Sequence, residues 1–181
     1  MNGVTTTNNL MYLKKLKNIN TFILDVDGVM TNGQVLVTDE GNMLRSFNIK
    51  DGFAMQLAIK LGYNICVITG GGTDGVIARL KGLGIDDIFC KVHDKLPVFE
   101  KYIKDRNIEL SQIAYMGDDI TDYRILQKAG LKCCPADAAT DIINTCEFVS
   151  SFNGGNGCVR ELIEKVLRSQ QKWDLHTIGI W

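Results

Sequence analysis

Asp25 and Asp27 stand one residue apart where a short apolar run, Thr21 to Asp25, gives way to Gly28 and Val29. Three later apolar runs also end in residues able to do chemistry. The run from Asn64 ends in Thr69, Gly70, Gly71 and Gly72; Lys95 follows the run Asp87 to Cys90; the run from Gln112 ends in Gly117, Asp118 and Asp119, with Asp122 one turn on. Carboxylates crowded at one edge repel, by about 4 kcal/mol for a pair about 4 Å apart at an effective dielectric of about 20. Such a set calls for a divalent cation. Magnesium suits it, because it takes hard oxygen ligands, keeps several waters and shares a site with phosphate. Its expected ligands are the carboxylates of Asp25 and Asp118 and the backbone carbonyl of Asp27. Glycines at 70 to 72 let backbone N–H groups approach a phosphate, and a lysine neutralises charge on phosphoryl oxygens. Asp119 and Asp122 have two uses open to them, beside the metal or at the start of the following helix.

These runs are rich in branched residues and read as buried strands, with two more at Leu131 to Cys134 and Glu147 to Val149. Helical spacing lies between them: Phe53, Leu57 and Leu61; Val76, Ile77 and Leu80; Val98, Tyr102 and Ile103. A closing helix is expected over Gly157 to Gln170, with the stripe Val159, Leu162, Ile163, Val166 and Leu167 facing a core. The alternation predicts an α/β fold, a doubly wound parallel sheet of Rossmann-like type. In such sheets ligands bind beyond the carboxyl ends of the strands, which is where the residues above fall. One element breaks the alternation, a hairpin insert over about residues 33–49, with strands Gln34 to Thr38 and Met43 to Ile49 around Asp39, Glu40, Gly41 and Asn42. A lone hairpin is marginal in water. Val35, Val37, Phe47 and Ile49 are therefore expected to bury one face, on the parent domain or on a neighbouring subunit.

The 181 residues suit one domain, 1–181, ending in a tail over about 171–181. Twenty basic against twenty-one acidic residues leave a formal charge of -1, so no long-range field draws the chain to nucleic acid or anionic lipid. No apolar run approaches membrane-spanning length, and the polar start, Met1 to Asn9, lacks the order of a secretion signal; a cytoplasmic location is expected. Cys66, Cys90, Cys133, Cys134, Cys146 and Cys158 show no CxxC spacing and read as reduced, largely buried residues. His93 and His176 are too isolated for a histidine metal site, and His93 reads as structural.

Asp25-x-Asp27-Gly28-Val29, Thr69, Lys95 and Gly117-Asp118-Asp119, in this order at successive strand ends, resemble the four motifs of the haloacid dehalogenase superfamily over nearly the whole chain. The resemblance implies a magnesium-dependent phosphatase. Asp25 would attack phosphorus, Asp27 would serve as acid and then base, and Thr69 and Lys95 would hold the transferring phosphoryl group. A carboxylate nucleophile makes chemical sense there, because it divides a hard hydrolysis into formation and breakdown of an acyl phosphate. No large cap domain fits between Gly28 and Thr69 or between Thr69 and Lys95, so the site is expected to be open in one subunit. The hairpin, the stretch Asn48 to Gly52 and the late Gly154 to Glu161 are similar to the 3-deoxy-D-manno-octulosonate 8-phosphate phosphatase family. That likeness implies a homotetramer with central hairpins and a sugar acid phosphate substrate of lipopolysaccharide biosynthesis. Such a substrate carries a carboxylate besides its phosphate, so Arg79 and Arg160 are candidate substrate ligands beyond Thr69, Gly70 and Lys95. Gly71 and Asn156 depart from the family, since many relatives have arginine at each place.

Other readings remain open at this point. A nine-carbon keto-deoxy sugar acid 9-phosphate would need the same chemistry. A non-catalytic oligomerisation module, of the kind attached to some sialic acid activating enzymes, is disfavoured by the intact Asp25, Asp27, Thr69, Lys95 and Asp118. A signalling receiver also uses Asp, Thr, Lys and magnesium, but lacks an acid two residues after its phosphorylated aspartate.

Overall fold

The computed structural model describes residues 12–178. The polar start at Met1 to Asn9 lies outside the described residues, as does the tail beyond residue 178. Six strands form one parallel sheet: β1 (Thr21–Leu24), β4 (Asn64–Ile68), β5 (Asp87–Phe89), β6 (Ile113–Met116), β7 (Leu131–Cys134) and β8 (Phe148–Val149), in the order β5-β4-β1-β6-β7-β8. β1 lies at the centre, pairing Leu24 with Val67 of β4 on one side and with Met116 of β6 on the other. Those three strands therefore end side by side. The sequence places chemistry at each of these ends.

Side chains alternate across a strand, and here both faces are covered. Phe22 and Leu24 join Ile65, Val67, Ala114 and Met116 in one core, while Ile23 joins Cys66, Ile68 and Tyr115 in the other. The first core is closed by α1, of which residues 12–16 are described, and by α2 (Ile49–Lys60), α3 (Asp74–Gly82) and α7 (Cys158–Ser169). The second is closed by α4 (Lys95–Asp105), α5 (Tyr123–Leu126) and α6 (Thr140–Thr145). Local chemistry sets the helix starts. Asn48, Thr73 and Asp94 accept backbone N–H bonds at the N-caps of α2, α3 and α4. α7 borrows its cap from elsewhere, since Asp51 in α2 accepts from Gly157 N at 3.2 Å and Arg160 N at 2.7 Å. The stretches Asn48 to Gly52 and Gly154 to Glu161 thus meet in space.

The hairpin is shorter than expected. β2 (Leu36–Val37) and β3 (Met43–Leu44) pair antiparallel, and the second strand stops at Leu44 rather than running to Ile49. Phe47 packs on the first core, but Val35, Val37 and Ile49 are exposed at 41%, 60% and 80%. Ile49 is exposed because Asn48 has already capped a helix and Ile49 is its first residue. The closing helix runs Cys158–Ser169, with Gly157 and Gln170 as its caps, and all five stripe residues are buried. No helix among the described residues is long and apolar enough to cross a membrane.

Candidate active site

The carboxylates are positioned by turns that leave their strands abruptly. After β1 the Val26 carbonyl accepts from the N–H groups of Val29, Met30 and Thr31, which folds the chain back just beyond Asp25. Gly28 adopts φ +81, and a Cβ there would stand 2.0 Å from Asp118 Oδ2. Only glycine lets the loops after β1 and β6 approach this closely. Beyond β6, Asp122 folds back under its own turn, accepting from Asp118 N at 3.2 Å and Asp119 N at 3.5 Å.

Lys95, the first residue of α4 and almost wholly buried, ties the two loops together. Its Nζ lies 2.7 Å from Asp25 Oδ2 and 2.7 Å from Asp122 Oδ1. Burial alone would lower the pKa of this ammonium, but Asp25 and Asp122 outweigh it and hold the group above its ordinary value. Asp122 also accepts from the buried Tyr115 hydroxyl at 2.5 Å. Lysine, tyrosine and two backbone amides thus occupy its oxygens, and Asp122 serves to position Lys95.

Oxygens of Asp25, Asp118 and Asp122 lie within 4.8 Å of one another. Asp122 is filled by four donors, whereas Asp25 carries one on each oxygen, Val26 N at 2.7 Å and Lys95 Nζ at 2.7 Å, and so keeps lone pairs that, with Asp118, could take a cation. Their proton affinities reflect the crowding. Burial, then Asp122, pushes Asp25 up to about 6 against the pull of Lys95. Burial, then Asp25, Asp122 and Asp119, pushes Asp118 up to about 7. An all-oxygen cluster deficient in positive charge fits a hard divalent ion such as magnesium. The Asp27 carbonyl, the third expected ligand, accepts no hydrogen bond among the described residues.

Asp25, Asp27, Thr69, Gly70, Lys95, Asp118 and Asp119 line one cleft of about 380 Å³. Thr69 is buried and anchored on both sides, its N–H donating to the Phe89 carbonyl at 2.9 Å and its carbonyl accepting from Val92 N at 3.0 Å. Asp119 caps the turn that follows, accepting from Ile120 N at 2.8 Å. His93, expected to be structural, is exposed and lines the cleft, as does Thr121.

Comparison with known proteins identifies the family. A model of the haloacid dehalogenase-like hydrolase family matches residues 80–162. The 3-deoxy-D-manno-octulosonate 8-phosphate phosphatase of Escherichia coli (strain K12) is 33% identical over 162 residues, 90% of this chain and 86% of that protein. The chain belongs to the haloacid dehalogenase-like hydrolases. Within these hydrolases the fold is matched at TM-score 0.90 by the Moraxella catarrhalis 3-deoxy-D-manno-octulosonate 8-phosphate phosphatase, crystallised with magnesium, phosphate and KDO, at 32% identity and covering 94% of this chain and 98% of that one. The phosphatase of that name from Yersinia pestis matches at TM-score 0.87 and 31% identity, covering 88% and 86%.

Two arginines expected at this hydrolase cleft do not line it. Arg79 faces α2, where a Cβ on Gly52 would meet its Nη2 at 2.5 Å. Arg160 stacks over Trp173 and Phe53, with its carbon Cζ 4.6 Å and 5.4 Å from the ring centroids, and its Nε donates to Glu164 at 2.9 Å. The cation that does reach the site is Arg45, just beyond β3, which grips Asp27 through Nε at 2.6 Å and Nη2 at 3.0 Å. Sequence reasoning missed both Arg45 and Tyr115. Tyr115 lies in the motif strand and could have been found by following its alternation; nothing near Arg45 in the chain marks it.

Proposed function

We propose that this chain is a magnesium-dependent phosphatase that hydrolyses 3-deoxy-D-manno-octulosonate 8-phosphate to the free sugar acid and phosphate, through an aspartyl phosphate on Asp25. The observation that carries the reading is the contact of Asp25 with Lys95 at 2.7 Å, beside Asp118, at the shared carboxyl edge of β1 and β6. The substrate is inferred from the printed activity of relatives that cover most of the chain.

Asp25, Asp118 and the Asp27 carbonyl would hold the magnesium ion, which would neutralise phosphoryl charge and fix the group's orientation. Thr69, the Gly70 N–H and Lys95 bind the phosphoryl oxygens. An oxygen of Asp25 attacks phosphorus as the P–O bond to the sugar breaks, and Asp27 gives its proton to the departing oxygen. Asp27 then takes a proton from water, whose oxygen attacks the phosphorus. Phosphate leaves and the Asp25 carboxylate is restored.

The test is phosphate release from a panel of sugar phosphates, with magnesium, with chelator and with Asp25→Asn. Turnover of the eight-carbon compound that disappears with chelator and in the variant is the expected result. Turnover confined to a nine-carbon 9-phosphate would move the substrate. No turnover of any compound by folded, metal-loaded protein would leave the oligomerisation module.

The chain is further read as one capless domain and as a cytoplasmic homotetramer. Exposed Leu36, Val37, Met43 and Leu44 on a hairpin too small to stand alone support assembly, and six free cysteines suit a reducing compartment. Sedimentation analysis of the purified protein tests the subunit number.

A further inference from the structure

Tyr115 is fully buried in β6 and is not among the residues that line the cleft. A buried tyrosine must find a partner for its hydroxyl, a demand that phenylalanine in the same core would not make. Here the hydroxyl donates to Asp122 Oδ1 at 2.5 Å, the same oxygen that takes Lys95 Nζ at 2.7 Å. Oδ2 is left to the N–H groups of Asp118 and Asp119.

The ring is held as well. It meets Phe99 edge-on, with centroids 6.5 Å apart and planes at 88°. Phe99 lies on α4 four residues after Lys95, so the two side chains share one face of that helix. Tyr115 therefore braces Lys95 at both ends. Its ring packs on the helix from which the lysine stem springs, and its hydroxyl fixes the carboxylate oxygen on which the ammonium rests.

We infer that Tyr115 is a positioning residue for phosphoryl transfer, acting through Asp122 to hold the Lys95 ammonium between Asp25 and the cleft. This rests on the reading above, in which Asp25 attacks phosphorus and Lys95 binds a phosphoryl oxygen. An ammonium has three N–H donors. Asp25 and Asp122 take two, at 2.7 Å each, and the third is left for the phosphoryl group in the cleft that Lys95 lines. Without the tyrosine hydroxyl, Oδ1 loses one of the two donors that fix it, and the lysine head shifts with it. A displacement of about 1 Å at a reacting group can cost about 100-fold in rate.

The test is Tyr115→Phe, which removes the hydroxyl and keeps the ring, assayed on 3-deoxy-D-manno-octulosonate 8-phosphate at saturating magnesium. kcat should fall about 10- to 100-fold. KM should stay within about threefold, the pattern of an interaction made chiefly in the transition state. Magnesium affinity by calorimetry should stay within about twofold, whereas disturbing the support of a metal ligand costs about 10- to 100-fold. In an Asp122→Asn background the same change should cost less than about twofold, because the hydroxyl acts only through that carboxylate. Phe99→Leu loosens the ring contact, leaves the hydroxyl, and should lower kcat in the same sense; it carries the test if Tyr115→Phe does not fold.

Unaltered kcat in folded Tyr115→Phe, or in Phe99→Leu where the first variant does not fold, would overturn the inference and leave the functional reading standing. An equal loss with and without the Asp122 carboxylate would do the same. Magnesium affinity weakened about 10-fold or more would overturn it too, because Tyr115 would then act on the Asp118 loop. Wild type inert toward every sugar phosphate would overturn the functional reading and this inference together.

Discussion

Lys95 Nζ sits 2.7 Å from an oxygen of Asp122 that no solvent reaches. Two buried ions are costly to desolvate, and this pair is tolerable because Asp122 is also held by Tyr115 and two backbone amides. Removing Lys95 strands Asp122, whereas Lys95 keeps Asp25 as a partner if Asp122 is removed.

Lys95→Met should destabilise the fold by about 3–5 kcal/mol, the usual cost of leaving a buried charge, here that of Asp122, without its partner. For a chain of this size that amounts to roughly 10 °C in melting temperature. Thermal denaturation in the presence of magnesium measures it, and a shift below about 2 °C would contradict the assigned role. Tyr115→Phe should cost only about 1 kcal/mol, because Lys95 and the amides remain.

The metal-free protein should become less stable as pH rises from about 4 to about 7. Asp25 and Asp118 have folded pKa values of about 6 and about 7 against an unperturbed 3.8, so the folded state binds more protons than the unfolded state across this window. Stability is then lost with rising pH, the reverse of a carboxylate whose folded pKa is depressed. Melting temperatures in chelator across this range read the slope directly. Magnesium must displace the same protons, so its affinity should climb over the window and level off above it. An affinity independent of pH would remove Asp25 and Asp118 as ligands.

Gly28→Ala should disable the site without unfolding the chain. The added methyl would fall 2.0 Å from Asp118 Oδ2 at a backbone φ of +81, so Asp118 must move away. Displacing a metal ligand's support commonly costs about 10- to 100-fold in metal affinity or activity. Magnesium titration by calorimetry, with circular dichroism to confirm the fold, is the measurement.

Leu36→Glu should shift the protein to smaller species, because Leu36 is 66% exposed on the hairpin proposed to assemble subunits. Sedimentation velocity at equal concentrations of wild type and variant decides the matter. Identical profiles would move the subunit contact elsewhere.

The sheet and the four strand-end motifs could be read in advance because each is local. A branched apolar run, a glycine and a carboxylate are adjacent in the chain, and parallel order brings the ends together. The helix start at Asn48 was missed, although an N-cap ahead of Asp51 in the first turn could have marked it. The expected strand through Ile49 fell to that cap. Partners chosen across loops were not legible. Arg45 reaches Asp27 only because the hairpin folds over the loop after β1. Arg79 turns toward Gly52 because its helix buries Val76 and Leu80, which fixes the phase of α3. Arg160 is drawn to Trp173 and Glu164, contacts that no spacing announces.

The glycines before α7 press on the other end of the chain: Gly155 N donates to the Val29 carbonyl at 2.9 Å, and a Cβ on Gly154 would stand 1.9 Å from the Gly28 carbonyl oxygen. The backing of the Asp27 loop is therefore made by residues translated long after it. On the ribosome, a nascent chain that has emerged only as far as β8 already holds every acid and base of the site, yet its first loop has nothing behind it. Competence for turnover should arrive abruptly, with the emergence of the last long helix.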